Sequence, residues 1–266
     1  MMKLRFVSAL AIAVMLWACS KVPITNRRQF HLLPESELIT MANTEYNKFL
    51  ATKTKVPDTD ANTIMVKKIG NDIRTAITNY LTKQKKQKRV AGYKWEFNLV
   101  QDNTVNAWCM PGGKVVVYTG LLPVTKDQNG LAVVMGHEVA HAIARHGNER
   151  MSQQLAIQTG GSVLAVAMQK QPQVTQQVFT QAYGIGSSLG ALAYSRKHET
   201  EADKLGLCFM AMAGYDPNHA VPFWQRMADA GSGANLQILS THPSDAQRIK
   251  DIKAFLPTAL KYYKKS

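Results

Sequence analysis

The chain has 266 residues, of which 45% are hydrophobic, and its formal net charge is +14. This composition predicts one globular domain, and no apolar run outside the N-terminus is long enough to span a membrane. Much of the positive charge lies in residues 83–89 and at the C-terminus. We interpret these basic patches as solvated loops, with binding to anionic lipid headgroups as the alternative.

Residues 1–18 are typical of a signal peptide. Lys3 and Arg5 precede a short apolar stretch, and the segment LWAC, which ends at Cys19, resembles the lipobox of bacterial lipoproteins. We therefore expect cleavage before Cys19, a lipid on Cys19 that anchors the chain to a membrane, and a location on the periplasmic side of a bacterial cell envelope, with the outer membrane favoured. An ordinary signal peptide is the alternative.

The mature chain is predicted to begin with a lipid anchor and tether, residues 19–33, because this segment has no helical period. The folded domain is predicted to follow over residues 34–266. Export would place Cys109 and Cys208 in an oxidising compartment, and the sequence leaves open whether they pair or stay free.

Within the domain the pattern predicts a mostly helical α+β fold. Apolar residues recur at helical spacing, whereas residues 93–101 alternate and residues 114–120 are rich in β-branched side chains, which predicts a small sheet. The Gln-rich residues 169–181 are predicted to form a mobile loop or lid. The predicted helices cover residues 35–54, 60–82, 127–151, 160–168, 198–213, 217–230 and 244–256.

The sequence HEVAH, residues 137–141, carries the strongest chemical signal. Residues four apart share a helix face, so His137 and His141 can bind one metal ion. Glu138 lies one step round the helix, where it can act as a general base on a water molecule. Imidazole and carboxylate ligands favour Zn²⁺, so we expect one zinc ion per chain.

A third ligand is predicted in a second helix, in the sequence SRKHETEAD. Glu199 and Asp203 are four residues apart and share a face, so Glu199 can complete the site while Asp203 accepts a hydrogen bond from a ligating histidine or handles a proton. Glu201 is interpreted as an acid that complements the helix dipole. His146 is out of step for a ligand and is expected to cap or pack against the helix end.

These segments, together with THPSDAQRI, resemble the HtpX and CAAX-prenyl-protease family of gluzincins, in its soluble lipoprotein branch. The resemblance implies a zincin-like fold and a metallopeptidase, with zinc held by His137, His141 and Glu199. It implies further site residues as well, namely Glu138, Asp203, His242 and Arg248. It also places residues 106–122 at an edge strand beside the cleft.

The implied function is a zinc-dependent endopeptidase for misfolded or unassembled envelope proteins. We assign His242 as a donor to the oxyanion and Arg248 as the residue that orients the site, although a histidine before proline is often only a turn residue. Asn106 and Gly113 flank a strand that can pair with an extended substrate.

Two other functions compete with this interpretation. One is a chaperone-like or scaffold lipoprotein that assists outer-membrane assembly and keeps zinc as a structural or latent site. The other, nucleic-acid binding through the positive charge, is disfavoured because export would remove the partner. The expected partners are therefore protein or peptide substrates and, through Cys19, a membrane.

Overall fold

The computed structural model describes residues 19–158, 172–183, 194–230, 237–242 and 246–263. Helices dominate the described residues, with two small sheets. The helices are α1 (Glu35–Ala51), α2 (Ala61–Lys83), α3 (Leu122–Thr125), α4 (Gln128–Ala144), α5 (His146–Gln158), α6 (Pro172–Tyr183), α7 (Arg196–Met212), α8 (Ala220–Asp229), α9 (Gln237–Thr241) and α10 (Ala246–Ala259). The strands are β1 (Cys19–Lys21), β2 (Arg28–Phe30), β3 (Glu96–Val100), β4 (Ala107–Met110) and β5 (Lys114–Tyr118).

The larger sheet has the order β3-β5-β4, with β5 parallel to β3 and antiparallel to β4. Both faces of β5 are buried. Val115 and Val117 face the core formed with α2, α4 and α7, whereas Val116 and Tyr118 face a second core formed with α1, α5 and α6. A central strand covered on both faces has no need for polar residues, which explains its run of valines.

Helix α2 shows the predicted stripe, since Ile69, Ile73 and Ile77 are all buried. Helix α4 differs because it is buried on every side from Gly130 to its end. It lies against β4, α2 and α7, and a helix surrounded by other elements must be apolar all round. The expected arrangement, two site helices packed side by side against a small sheet, is confirmed.

The N-terminal segment is not the extended tether that its sequence suggested. Strands β1 and β2 pair antiparallel, Val22 is fully buried, and the side chain of Gln29 is 2% exposed. Arg27 forms salt bridges with Glu149 and Glu201. These long-range charge pairs hold the segment on the domain, and no local sequence period reports them.

Three predicted elements have different bounds in the structure. Arg145 adopts a left-handed conformation, with a φ of 59°, so the helix predicted over residues 127–151 breaks there into α4 and α5. Residues 172–181 are helical rather than a loop, and α10 continues through Pro257. The predicted helix over 160–168, and residues 169–171 of the predicted lid, lie outside the described residues.

Two further observations concern the cysteines and membrane insertion. Cys109 and Cys208 are buried free thiols, so they do not form a disulfide. In the described part of the chain, every helix is too short or too polar to cross a membrane.

Candidate metal centre

Helices α4 and α7 approach closely enough for their side chains to form one polar cluster. The contact occurs at two glycines: a Cβ atom built on Gly136 would lie 2.9 Å from the carbonyl oxygen of Gly206, and one built on Gly206 would lie 2.8 Å from the backbone nitrogen of His137. Any larger residue would separate the helices. This approach brings Glu199 and Asp203 to His137.

Four buried side chains offer ligand atoms that all lie within 4.8 Å of one another, and they are His137, His141, Glu199 and His242. His137 Nε2 and His141 Nε2 lie 3.0 Å apart, and the Glu199 carboxylate lies 3.4 Å from the first and 3.3 Å from the second. Glu199 Oε2 is buried, and no described residue forms a hydrogen bond with it. Two imidazoles and a carboxylate converge as zinc requires, so the donor set fits Zn²⁺.

His242 enters this group from the residue after α9. Its Nδ1 atom lies 3.0 Å from Glu199 Oε1 and 3.2 Å from His137 Nε2, while its Nε2 atom lies 3.5 Å from Glu138 Oε1. His242 is 4% exposed and is therefore not merely a turn residue on the surface. The structure brings it to the metal ligands and to Glu138 together.

Glu138 is buried beside the ligands but belongs to none of their hydrogen bonds. Its Oε1 atom has no hydrogen-bond partner in the part of the chain that the structure describes. Burial raises the pKa of the Glu138 carboxyl above its usual value, an effect that the nearby charges of His242 and His137 oppose. A buried carboxylate with a raised pKa that lies beside the metal ligands has the properties of a general base.

Asp203 supports His137 as the spacing predicted. Asp203 Oδ1 lies 2.9 Å from His137 Nδ1, and Arg248 donates to both Asp203 oxygens at 2.7 and 2.9 Å. The Arg248 guanidinium lies 3.3 Å from the centre of the Trp224 ring. This pair, Asp203 and Arg248, is called the His137 support below. Burial lowers the pKa of His137, but its bonds to Asp203 and Glu199 outweigh burial and raise it to about 9.

Two residues interpreted as peripheral turn out to lie behind His141. His146 is fully buried, with Nδ1 3.0 Å from His141 Nδ1 and Nε2 2.9 Å from Glu201 Oε2. Glu201 is 5% exposed, so its interpretation as an acid that serves the helix dipole is wrong. The left-handed turn at Arg145 redirects the chain, which lets His146 reach back to His141. Spacing on one continuous helix could not have indicated this contact.

Arg89 was also missed by the sequence interpretation, which placed it in a solvated basic loop. It is buried and donates to the carbonyl oxygens of Ile143 and Ala144, the last residues of α4. Such bonds satisfy carbonyl groups that a helix end leaves without partners. Arg89 therefore helps to fix the end of the helix that carries both histidines.

Tyr194 was likewise missed, and its ring covers the cluster from the start of α7. Its ring centre lies 4.0 Å from that of His141 and 5.4 Å from that of His242. Beside it, a cavity of about 140 Å³ is lined in part by Tyr194, Glu199 and Arg248. The cluster thus borders a space that a substrate side chain can enter.

Asn106 and Gly113 are not brought to the cluster as free substrate-binding groups. Asn106 is buried; its side chain donates to Gln237 and accepts from the backbone of Ala107. Gly113 lies in the turn between β4 and β5, where its nitrogen donates to Met110 and its oxygen accepts from Glu96. Their polar groups are therefore already used within the chain.

A helix that presents two histidines and a glutamate, joined by a second helix that presents a glutamate and an aspartate, defines a zinc-dependent metallopeptidase. The model of Peptidase family M48 matches residues 71–256, which contain the whole cluster. The chain belongs to peptidase family M48. This membership confirms the predicted enzyme class and its zinc cofactor.

The chain is similar to several curated proteins. It is 34% identical over 242 residues to "Mitochondrial metalloendopeptidase OMA1" of Schizosaccharomyces pombe, which covers 90% of this chain and 66% of the relative. It is 27% identical to "Metalloendopeptidase OMA1, mitochondrial" of Homo sapiens, covering 90% and 46%. A "Putative beta-barrel assembly-enhancing protease" of Vibrio cholerae is 34% identical, covering 58% and 33%. The chain thus spans about a third to two thirds of these relatives.

The predicted location in a bacterial envelope is wrong on this comparison. The relatives that match about nine tenths of this chain are mitochondrial proteins from yeast, human and cattle. The bacterial relatives match about three fifths of it, at 34% and 30% identity. The lipobox resemblance depends on four residues and carries less weight than similarity over the folded domain. The narrower lipoprotein branch and the lipid on Cys19 stay predictions.

Proposed function

We propose that this protein is a zinc endopeptidase that cleaves misfolded or unassembled proteins. The observation that carries the proposal is Glu138, a buried carboxylate that stands next to a complete set of zinc ligands and whose Oε1 atom has no hydrogen-bond partner among the described residues. A structural zinc site does not need such a group. Relatives named metalloendopeptidases support cleavage within chains rather than at their ends.

The proposed ligands are His137, His141 and Glu199, since three protein ligands leave one position of a catalytic zinc site open. Zinc, when bound, polarises the scissile carbonyl group and lowers the pKa of a water molecule at the open position. Glu138 accepts the proton from the attacking water and delivers it to the leaving amine. Its burial and raised pKa suit both steps.

The remaining residues are proposed to stabilise charge and fix positions. His242 Nε2 faces Glu138, so it can donate a hydrogen bond to the oxyanion that develops on the substrate. Asp203 keeps His137 in the tautomer that binds metal through Nε2, and Arg248 holds Asp203 in place. The proposed roles of these three residues are thus to stabilise the oxyanion, to orient His137 and to hold Asp203 in place.

Attachment to a membrane through Cys19 is a separate proposal. It is supported by the sequence LWAC alone. Mass spectrometry of the chain from its native host tests it, because a lipid adds a defined mass to a peptide that begins at Cys19. An intact N-terminus would remove this proposal without affecting the peptidase.

The test of the function is hydrolysis of fluorescently labelled casein by the full chain, with and without a chelator, in the wild type and in Glu138→Gln. The substitution preserves shape and leaves the three proposed ligands in place. We expect hydrolysis to require metal and to fall by about 10²–10⁴-fold in the variant, because the general base is lost. Zinc content should stay at the wild-type value.

The matched control is Glu45→Gln. Among the described residues, the salt-bridge partner of Glu45 is Lys48, three residues on in α1, at 2.9 Å, and surface pairs of this kind contribute little. This control should cleave casein at the wild-type rate. If Glu138→Gln also cleaves at that rate, Glu138 is not the base and the proposed mechanism fails. Zinc binding without cleavage by the wild type would favour the scaffold or chaperone interpretation.

A further inference from the structure

The two ring nitrogens that face each other behind the metal centre, His141 Nδ1 and His146 Nδ1, lie 3.0 Å apart. The opposite nitrogen of His141, Nε2, points to His137 and Glu199 among the ligands. At this distance one of the two facing nitrogens must carry the hydrogen and the other must accept it.

The metal site decides which nitrogen donates. A neutral His141 that binds a metal through Nε2 carries its hydrogen on Nδ1. His146 must then accept at Nδ1 and carry its own hydrogen on Nε2, which lies 2.9 Å from Glu201 Oε2. The carboxylate of Glu201 accepts that hydrogen. Glu201 therefore fixes the tautomer of His146, and through it the orientation of His141.

Both oxygens of Glu201 are bound by donors from the N-terminal segment. Thr25 donates to Oε1, and Arg27 Nε donates to Oε2 at 2.7 Å. A carboxylate fixed at both oxygens cannot turn away from His146. The hairpin formed by β1 and β2 is thereby connected to the metal centre.

Arg27 also binds a second buried glutamate, Glu149, which can be compared with Glu201. Arg27 donates from both terminal nitrogens to Glu149, at 2.8 and 2.7 Å. Glu149 lies 3.2 Å from His198 Nε2, and the His198 ring stacks on that of His146 with centres 4.5 Å apart. Glu149 and Glu201 are thus chemically similar and equally buried, yet only Glu201 is bonded to the histidine behind His141.

We propose that His146, Glu201 and Arg27, called the His141 support below, are positioning residues that set the zinc affinity of this site. The N-terminal hairpin is then a working part of the metal centre and not an accessory to it. The proposal rests on the zinc site described under the proposed function. It concerns metal affinity, so it is tested without any assay of peptide cleavage.

The experiment compares Glu201→Met with Glu149→Met in the full chain. Methionine has nearly the length of glutamate but accepts no hydrogen bond from a histidine, and each variant removes one carboxylate from Arg27. Zinc dissociation constants are measured by competition with a chromophoric chelator, and folding is checked by far-ultraviolet circular dichroism. The visible absorption of the Co²⁺-loaded protein reports ligand geometry directly.

We expect Glu201→Met to weaken zinc binding by about 10–100-fold, the range for loss of a partner that orients a metal ligand. Its Co²⁺ spectrum should shift. Glu149→Met should stay within about threefold of the wild type and keep its spectrum, because His141 keeps its partner. Equal zinc constants for the two variants overturn the proposal, since a general loss of stability would explain both.

If a methionine variant does not fold, the pair Glu201→Gln and Glu149→Gln replaces it. Glutamine keeps the shape and an acceptor but removes the charge, so the difference between the pair should have the same sign and be smaller. No difference in this milder pair would also overturn the proposal. A wild-type chain that binds no zinc would reject the metal site itself, which distinguishes that failure from failure of the His141 support.

Discussion

The two histidines of the metal centre lie one turn apart on α4, yet opposite ends of the chain hold them. The His137 support comes from the C-terminal side, where Arg248 on α10 fixes Asp203. The His141 support comes from the N-terminal side, where Arg27 fixes Glu201 and a second histidine lies between. Asp203 contacts His137 directly, whereas Glu201 reaches His141 only through His146.

This difference shows how one helix, α7, contributes a carboxylate to each of the two supports. Glu201 and Asp203 are two residues apart on α7, so their side chains leave the helix in different directions. Asp203 meets Arg248 from the C-terminal side, and Glu201 meets Arg27 from the N-terminal side. The geometry of the metal centre therefore depends on how closely α7 packs against α4, and each support can be weakened separately.

The largest expected effect on zinc affinity comes from a substitution that moves both supports at once. Gly206→Ala places a methyl group where the backbone nitrogen of His137 lies 2.8 Å away, so α7 must move from α4. We expect a loss of about 2–3 kcal/mol of unfolding free energy from this overpacking. Because Asp203 and Glu201 both move with α7, and both supports depend on them, we expect zinc affinity to fall by about 100-fold.

Urea unfolding of the metal-free protein and chelator competition measure these two quantities. Lys197→Ala, an exposed change near the start of the same helix, is the control and should alter neither. Wild-type zinc affinity in Gly206→Ala would show that close packing of α7 is not what places the ligands.

A smaller effect on zinc affinity is expected from breaking the His137 support alone. Asp203→Asn keeps the acceptor for His137 but removes the charge that Arg248 pairs with, and both residues are buried. We expect zinc affinity to fall by about tenfold, with a loss of about 3 kcal/mol of unfolding free energy because the buried Arg248 loses the charge of Asp203.

Asp229→Asn, an exposed change on α8, is the control for the loss of an aspartate charge. The same competition and unfolding measurements apply. A double variant that also carries Glu201→Gln should lose the sum of the two effects if the supports act independently. A double variant no weaker than Asp203→Asn would instead show that the two supports act as one unit.

The smallest expected effect is the share of the pH dependence of stability that His31 contributes. Burial, together with the charges of Arg89 and Arg145, lowers the pKa of His31 from 6.5 to about 3. A neutral His31 is therefore favoured in the folded state, and the stability it contributes is present above pH 6.5 and is lost as the pH falls towards 3.

The variant His31→Gln removes this titration. Between about pH 7.5 and 5.5 the metal-free wild type should lose about 1 kcal/mol more unfolding free energy than the variant. Urea unfolding at the two pH values, with chelator present, measures the difference. Parallel pH profiles for the two proteins would contradict the assignment of a partly buried, neutral His31.

The sequence predicted those site residues whose relation to each other is set by a short spacing along one helix. His137, His141, Glu199 and Asp203 each have a partner four residues away on a helix, and the structure keeps both helices. The helical stripe of α2 and the valines of β5 were predictable for the same reason, because burial imposes a local period.

The site contacts that the sequence did not predict join residues that lie far apart in the chain. His146 reaches Glu201 across 55 positions, and Arg27 reaches it across 174. The left-handed residue Arg145, which allows the first of these contacts, is not a glycine and carries no turn signal. Strands of three residues are likewise too short to show a period, so the N-terminal hairpin was mistaken for a tether.

The most direct test of the metal centre is the zinc content of the purified full chain after dialysis, compared with that of Glu199→Gln. About one zinc per wild-type chain is expected, because a complete set of ligands converges at one point. Glu199→Gln should lose most of it, since an amide is a poor substitute for a carboxylate ligand. A wild-type chain without zinc, or a variant that retains a full zinc, would contradict the account.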